Sequence, residues 1–468
     1  MSLILSFESV SRSFINFSDM LCTYPEFILL IGGGLFFLIY SGFVPVRYFG
    51  KAVKSLGKKD DSPGQISSFQ ALMGAIAATV GMGSIAGVAI ALMLGGPGAI
   101  FWMWVSAIVG MATKFFEGTL AIMYKGKDDA GEVQGGPMYM ITEGIGKKWK
   151  PLAVFFSVVG LIGTLCIMQA NQLTETIVTI FTKPAGIPDS LLVKFIIGCI
   201  ICAIVAAVIL GGIKRIANIS SKIVPLMVGL YFLIVAYIIL TNLPAVPKVF
   251  GDIFRGAFTF KAGAGGAIGS FLMVATIGAR RATLVNEAGV GTASMMHGAS
   301  KNNEPVREGL VAMLGPFMDS GIVCTLTAVA ILISTASGTY TLPPAGSDVK
   351  GLEIALNAFS ASIPYPIFNG RLGGYLLTIM VFFFAFSTMF SYSYYGMKCT
   401  SYLFGTKYGK YYNYFFLAML IVCAMIPLEL AVAVIDLAFF LMACATMFTL
   451  LYLSPRVRKA EKEYFKKK

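Results

Sequence analysis

The sequence predicts an all-α polytopic membrane protein of eleven transmembrane helices: two five-helix repeats of opposite orientation, preceded by one extra N-terminal helix. Three observations predict it. Of 468 residues, 57% are hydrophobic and 13% charged, against roughly 25% charged in a soluble domain. With a mean hydropathy of +0.80, too few polar side chains remain to cover a soluble surface, so the apolar surplus must face lipid. Apolar stretches of about 20 residues recur along the chain, and Lys and Arg gather in alternate loops.

The elements follow in order. Leu3, Phe7, Val10, Phe14 and Phe17 recur at helical spacing, which predicts an N-terminal interfacial segment over 1–24. It lacks a basic n-region and a small-residue cleavage site, so it does not read as a signal peptide. The extra helix spans 25–45, and a basic loop carries the chain to residue 70. A first repeat over 71–243 holds helices at 71–94, 98–124, 151–181, 191–213 and 218–243. A second repeat over 263–453 holds 263–283, 307–335, 372–404, 411–427 and 428–453, followed by a basic tail over 454–468. Pro427 divides the last two helices, as a kink in one long helix or as a tight hairpin.

With these spans, loops on the side of the C-terminus carry 26 Lys and Arg residues and the opposite loops seven. This bias puts the N-terminus outside and the C-terminus in the cytoplasm. The net charge of +13 is then mostly topology: no basic face is left for nucleic acid, and the tail suits anionic membrane lipid. Eight cysteines lie mostly inside apolar runs and read as small buried hydrophobes, Cys199 and Cys202 included. The single histidine, His297, has no ligand cluster, and no phosphate-binding loop is present, so catalysis, a metal enzyme centre and an ATP-driven motor are not indicated.

Two inverted five-helix halves are the plan of many secondary transporters, whose site lies mid-bilayer where the first helix of each half is broken. In the first half, Ala77-Ala78-Thr79-Val80-Gly81-Met82-Gly83-Ser84 falls near mid-span, with two glycines that each weaken a helix by roughly 1 kcal/mol. In the second, Gly263, Gly265, Gly266 and Gly269 lead to Ser270-Phe271-Leu272-Met273. Helix packing also accounts for these glycines, since Gly83 with Gly87 and Gly265 with Gly269 form G-x-x-x-G faces. If both segments open, a half-helix beginning near Ser84 offers N–H groups and a positive dipole end to a carboxylate. Carbonyls before Gly81 would face a small cation or an ammonium group.

The stretches Val80-Gly81-Met82-Gly83-Ser84-Ile85-Ala86-Gly87, Gly95-Gly96-Pro97-Gly98-Ala99, Phe101-Trp102-Met103-Trp104, Gly110-Met111-Ala112-Thr113-Lys114-Phe115, Gly135-Gly136-Pro137-Met138-Tyr139, Asn286-Glu287-Ala288-Gly289-Val290-Gly291 and Phe386-Ser387-Thr388 together resemble the alanine or glycine:cation symporter family over nearly the whole chain. The resemblance implies a leucine-transporter-like fold in a prokaryotic inner membrane and sodium as coupling ion, with alanine or glycine as substrate and no organic cofactor. It implies a sodium cage of the Ala77, Val80 and Phe384 carbonyls with the Ser387 and Thr388 hydroxyls. The chain departs from the family pattern at Ser84, where the family usually has Asn, and at Ala282-Thr283-Leu284-Val285, where it has Gly-Leu-Phe-Ser.

These readings assemble a substrate site from Thr79, Gly81, Met82, Gly83, Ser84, Gln169, Asn171, Ser270, Phe271 and Met273, with Met82, Phe271 and Met273 as walls that limit side-chain size. Asn171 and Gln169, two residues apart, do not share a helix face; Asn171 is read as the substrate contact and Gln169 as structural. Ser387 and Thr388 could instead bond back to their own helix. Lys114 and Glu117, three apart, read as a structural latch. Asp319, just after Pro316, could carry a proton or brace a broken helix, so proton-coupled symport stands as the alternative to sodium, with a channel and a signalling receptor behind it.

Overall fold

The computed structural model describes residues 2–58, 62–258, 266–345, 347, 349–367, 370–426 and 428–466. Among these, eight helices are long and apolar enough to cross a membrane, nine if one bent pair counts as a span. The N-terminal helix starts at Ser2 and continues through a π-turn at Ile28–Gly32 to Tyr40; its Ser11–Tyr40 part is termed α1. The expected interfacial segment and extra span therefore form one helix. The only breaker between them is Pro25, which a membrane helix tolerates.

Residues 68–241 form α2 (Ser68–Thr79) and α3 (Gly83–Gly95) as the bent pair, α4 (Gly98–Met123), α5 (Lys150–Gly163) and α6 (Ile167–Ile177), α7 (Leu191–Ile209) and α8 (Gly212–Thr241). A connecting helix α9 (Val246–Ala257) follows. After it come α10 (Gly266–Asn286) and α11 (Thr292–Gly298), α12 (Pro305–Ala336), α13 (Gly351–Ser362), α14 (Leu372–Phe404), α15 (Thr406–Cys423) and α16 (Leu428–Lys466). α10 and α15 stand outside the count of eight or nine. Pro427 lies outside the described residues, between α15 and α16.

Local chemistry explains these ends. Ser67 and Gln70 cap α2 reciprocally: the Gln70 N–H donates to Ser67 Oγ at 3.1 Å and the Ser67 N–H to Gln70 Oε1 at 3.0 Å, satisfying two donors that a helix start leaves free. α4 starts where its backbone touches α9: a Cβ on Gly98 would lie 2.2 Å from the Gly256 carbonyl carbon, so glycine is what lets the helices meet. α4 and α12 are largely buried, whereas α7 and α8 are peripheral and expose Leu192, Ile196, Ile200, Phe232 and Leu233, as lipid-facing helices must. All eight cysteines are free.

Candidate substrate and ion site

Three helices of the bundle are interrupted around one cavity. α2 ends at Thr79, where Val80 leaves helical geometry (φ −74°, ψ 86°), and α3 restarts at Gly83 bent by 57°. The last carbonyls of any helix lack an intrahelical partner, so Ala77, Ala78 and Thr79 carry free oxygens here. Gly81 is required for a close approach: a Cβ would stand 2.8 Å from Thr388 Oγ1. Thr388 and Ser387 donate their hydroxyl protons to the Phe384 carbonyl at 2.9 and 3.1 Å, so they do bond back to their own helix. Their lone pairs stay free, and both are buried. Thr388 is thereby brought to the α2 break, with Val80 and Ala77 at the adjoining helix end, and these groups are all oxygen donors suited to a hard cation.

Among the described residues no interruption falls at 266–273, and the second break lies elsewhere. Gly263 and Gly265 lie outside the described residues; from Gly266 onward α10 is unbroken to Asn286. The chain instead turns at Glu287, Gly289 and Gly291, with φ of 51°, 93° and 94°. The physical reason lies in partners. Gly278 of α10 serves packing, since a Cβ there would lie 2.2 Å from the Ala99 carbonyl oxygen. At 287–291 four of the freed groups find side chains: Asn286 Oδ1 accepts the Ala288 N–H at 3.0 Å, and Glu117 Oε1 accepts the Gly289 N–H at 2.5 Å. Lys114 donates to the Glu287 carbonyl at 2.9 Å and Thr446 to the Val290 carbonyl at 3.0 Å. The Lys114–Glu117 pair, 3.3 Å apart, is the brace of this break. The Glu287 carboxylate accepts from Thr292 at 2.6 Å and from the Tyr392 hydroxyl.

A third break, with no expectation behind it, separates α5 from α6. Cys166 takes φ 53°, and the Thr164 hydroxyl donates to the Gly160 carbonyl at 2.7 Å.

A cavity of about 1180 Å³ joins the three breaks and opens at the exposed Lys183 and Lys350. Thr79, Gly81, Met82, Gly83, Gln169 and Asn171 line it. Asn171 Nδ2 donates to the Ile426 carbonyl, and Asn171 Oδ1 has no protein partner among the described residues. Other expected residues do not line it. Phe271 packs its ring edge-on against Trp102, centroids 5.4 Å apart, and Met273 is 58% exposed on the outer face of α10. Both follow from α10 remaining helical, which turns them away from the centre; the side chain of Ser270 lies outside the described residues. Ser84 caps nothing: its fully buried hydroxyl lies against the Cys324 thiol, and its carbonyl accepts from Thr327 at 2.9 Å. Asp319 sits in a π-turn, Phe317–Val323, with its carboxylate toward Thr79 and the Ser320 N–H, off the cavity wall.

Sequence reasoning missed Gln172, Arg281, Leu284, Val285, Glu287, Tyr392 and Asp436, all on the cavity wall. For Glu287 a signal existed in Asn286-Glu287-Ala288-Gly289, where an asparagine and a glycine shortly past a span spell a turn.

A model of the sodium:alanine symporter family matches residues 8–468. The chain belongs to this family. The sodium/alanine symporter AgcS of Methanococcus maripaludis is 39% identical over 435 residues, covering 91% of each chain. The amino-acid carrier protein AlsT of Bacillus subtilis is 34% identical over 468 residues, 98% of this chain and 94% of that one. Among solved structures, MhsT in complex with L-phenylalanine superposes with a TM-score of 0.57 at 12% identity, covering 86% of this chain and 99% of that one. That likeness is one of fold, the leucine-transporter fold. The family member described here is accordingly a multi-pass membrane transporter, built for a small amino-acid substrate.

Proposed function

We propose that the protein carries alanine or glycine across the membrane together with sodium, by alternating access, with eleven spans in two inverted five-helix repeats and the C-terminus in the cytoplasm. The observation that carries this reading is the approach of Thr388 Oγ1 to Gly81, so close that a methyl on Gly81 would stand 2.8 Å away. Sodium sits between the Ala77 and Val80 carbonyls, the Phe384 carbonyl and the hydroxyls of Ser387 and Thr388. The substrate carboxylate meets the first N–H groups of α3 at Gly83, and its ammonium meets Asn171 Oδ1 and the Thr79 end of α2. Met82, Leu284 and Val285 bound the side chain.

Under the charge-based orientation, the open end of the cavity faces outside and the conformation is outward-open. The opposite path is shut by the braced break and by Glu308, which takes hydrogen bonds from Ser68 at 2.6 Å and Asn302 at 2.8 Å and contacts His297 Nδ1 at 2.7 Å. One charge crossing about 100 mV is worth about 2.3 kcal/mol, and a tenfold gradient about 1.4 kcal/mol. Together they suffice to concentrate a zwitterion about 500-fold.

The test is thermal stabilisation of the purified protein by alanine and by glycine, in sodium and with sodium replaced by choline. Tighter binding in sodium is expected. Equal affinity in the two salts would overturn sodium coupling, and no stabilisation by either amino acid would overturn the substrate class.

A further inference from the structure

Most charged groups on the cavity wall are neutralised by the protein itself. Glu175 is held by Lys194 at 2.6 Å and Lys350 at 3.3 Å. Lys183 and Lys194 reach Asp189 at 3.6 and 3.5 Å. Asp436 has Arg280 at 3.6 Å, and Glu287 has Thr292 and Tyr392. Arg281 differs. It lines the cavity, yet among the described residues no group accepts a hydrogen bond from it and no carboxylate comes within ion-pairing distance; Asp436 and Asp19 act on it only from further off.

A guanidinium held inside a membrane protein without an acceptor is costly unless an anion visits it. Its planar fork of donors matches a carboxylate in two parallel hydrogen bonds. Arg281 lies one helical turn before Val285 and six residues before Glu287, so on α10 it stands about 9 Å above the second break, on the open side. Facing it across the cavity is the wall of α16, where Glu429, Val432, Ile435, Asp436 and Phe439 follow one another at helical spacing. Glu429 also lacks a hydrogen-bonding or ion-pairing partner among the described residues.

We propose that Arg281 is a carboxylate-binding subsite in the outer half of the cavity, distinct from the N–H groups at Gly83. It takes the α-carboxylate of a zwitterionic amino acid on its way to the breaks, with the ammonium turned toward Asp436 and Glu429 of α16. The ligand class is an α-amino acid with a free carboxylate, and the assignment rests on the amino-acid transport reading above.

The experiment is sodium-driven alanine uptake into proteoliposomes holding the wild-type chain, R281Q or R281K, with L-alaninamide, which lacks the carboxylate, as competitor. R281Q is expected to raise the alanine KM by about tenfold or more, the cost of losing a bidentate charged pair, with Vmax within about twofold because the breaks and the sodium cage are untouched. R281K, which keeps the charge and drops the fork, should fall between. Alaninamide should compete weakly in the wild type and equally weakly in R281Q. A folded R281Q with wild-type KM overturns the subsite; should R281Q not survive purification, wild-type KM in R281K overturns it. Absence of sodium-driven alanine or glycine uptake by the wild type would instead overturn the transport reading.

Discussion

The two interruptions in α2/α3 and α10/α11 differ in who answers their backbone groups. At the end of α2 the carbonyls of Ala77, Ala78 and Thr79 are left free beside Thr388 and the cavity, whereas those of Gly81 and Met82 accept the first N–H groups of α3. At Glu287–Gly291 the same kind of group is taken up by Lys114, Glu117, Asn286 and Thr446. Opening a helix in a membrane is tolerable only when the exposed peptides find partners. The second break has permanent partners in the protein, so it is a rigid wall. The first keeps free backbone oxygens, which is what the proposed ion and substrate site requires.

The largest effect should come from undoing the brace. Lys114→Met leaves Glu117 buried and uncompensated, a loss of about 3–5 kcal/mol by analogy with broken buried pairs, read as a fall in melting temperature in detergent. The double change Lys114→Met with Glu117→Leu should recover part of it; no recovery would mean that the pair does not act as a unit.

Gly81→Ala comes next. Its methyl meets Thr388 Oγ1 at 2.8 Å, and the expected result is at least about tenfold weaker sodium-dependent alanine binding, with overpacking costing about 1–3 kcal/mol of stability. Thr388→Val should weaken sodium activation by a similar factor while Thr388→Ser retains it. If valine and serine behave alike, the hydroxyl plays no part in ion binding. Glu287→Gln keeps the shape but weakens the bonds from Thr292 and Tyr392, about 1–2 kcal/mol, measured by denaturation with sodium and substrate absent. The smallest effect is expected at Ser84, whose hydroxyl has only the weakly bonding Cys324 thiol beside it: Ser84→Ala should stay within about 0.5 kcal/mol of the wild type, and a loss of alanine binding there would restore it to the site.

The apolar spans were legible because membrane thickness imposes their length, and α4, α7 and α8 lie where hydropathy places them. The first break was legible because Gly81 and Gly83 sit mid-span, where a close approach and a bend both need glycine. The second was misplaced because glycine has two uses: in α10, Gly278 brings a helix against Ala99, whereas Gly289 and Gly291 turn the chain left-handed. Only the neighbouring Asn286 and the distant Lys114 and Glu117 separate the cases, and distance in sequence hides the latter. The break at Cys166 carried no local sign, since a cysteine at positive φ is chosen by its surroundings and not by its own preference. Arg281 and Asp436 fall inside the expected spans 263–283 and 428–453 with nothing local to mark them, and only packing turns them toward the cavity.

Gly289 also has Leu30 of α1 at its back: a Cβ there would lie 2.6 Å from Leu30 Cδ2. The helix that carries Leu30 shows Phe36 and Ile39 on its exposed side. A peripheral rod thus bears directly on the turn beside the cavity. Because hydrophobic mismatch tilts such rods, the acyl-chain length of the surrounding bilayer is set to modulate the transport cycle, and reconstitution in a series of lipids from thin to thick should display an optimum.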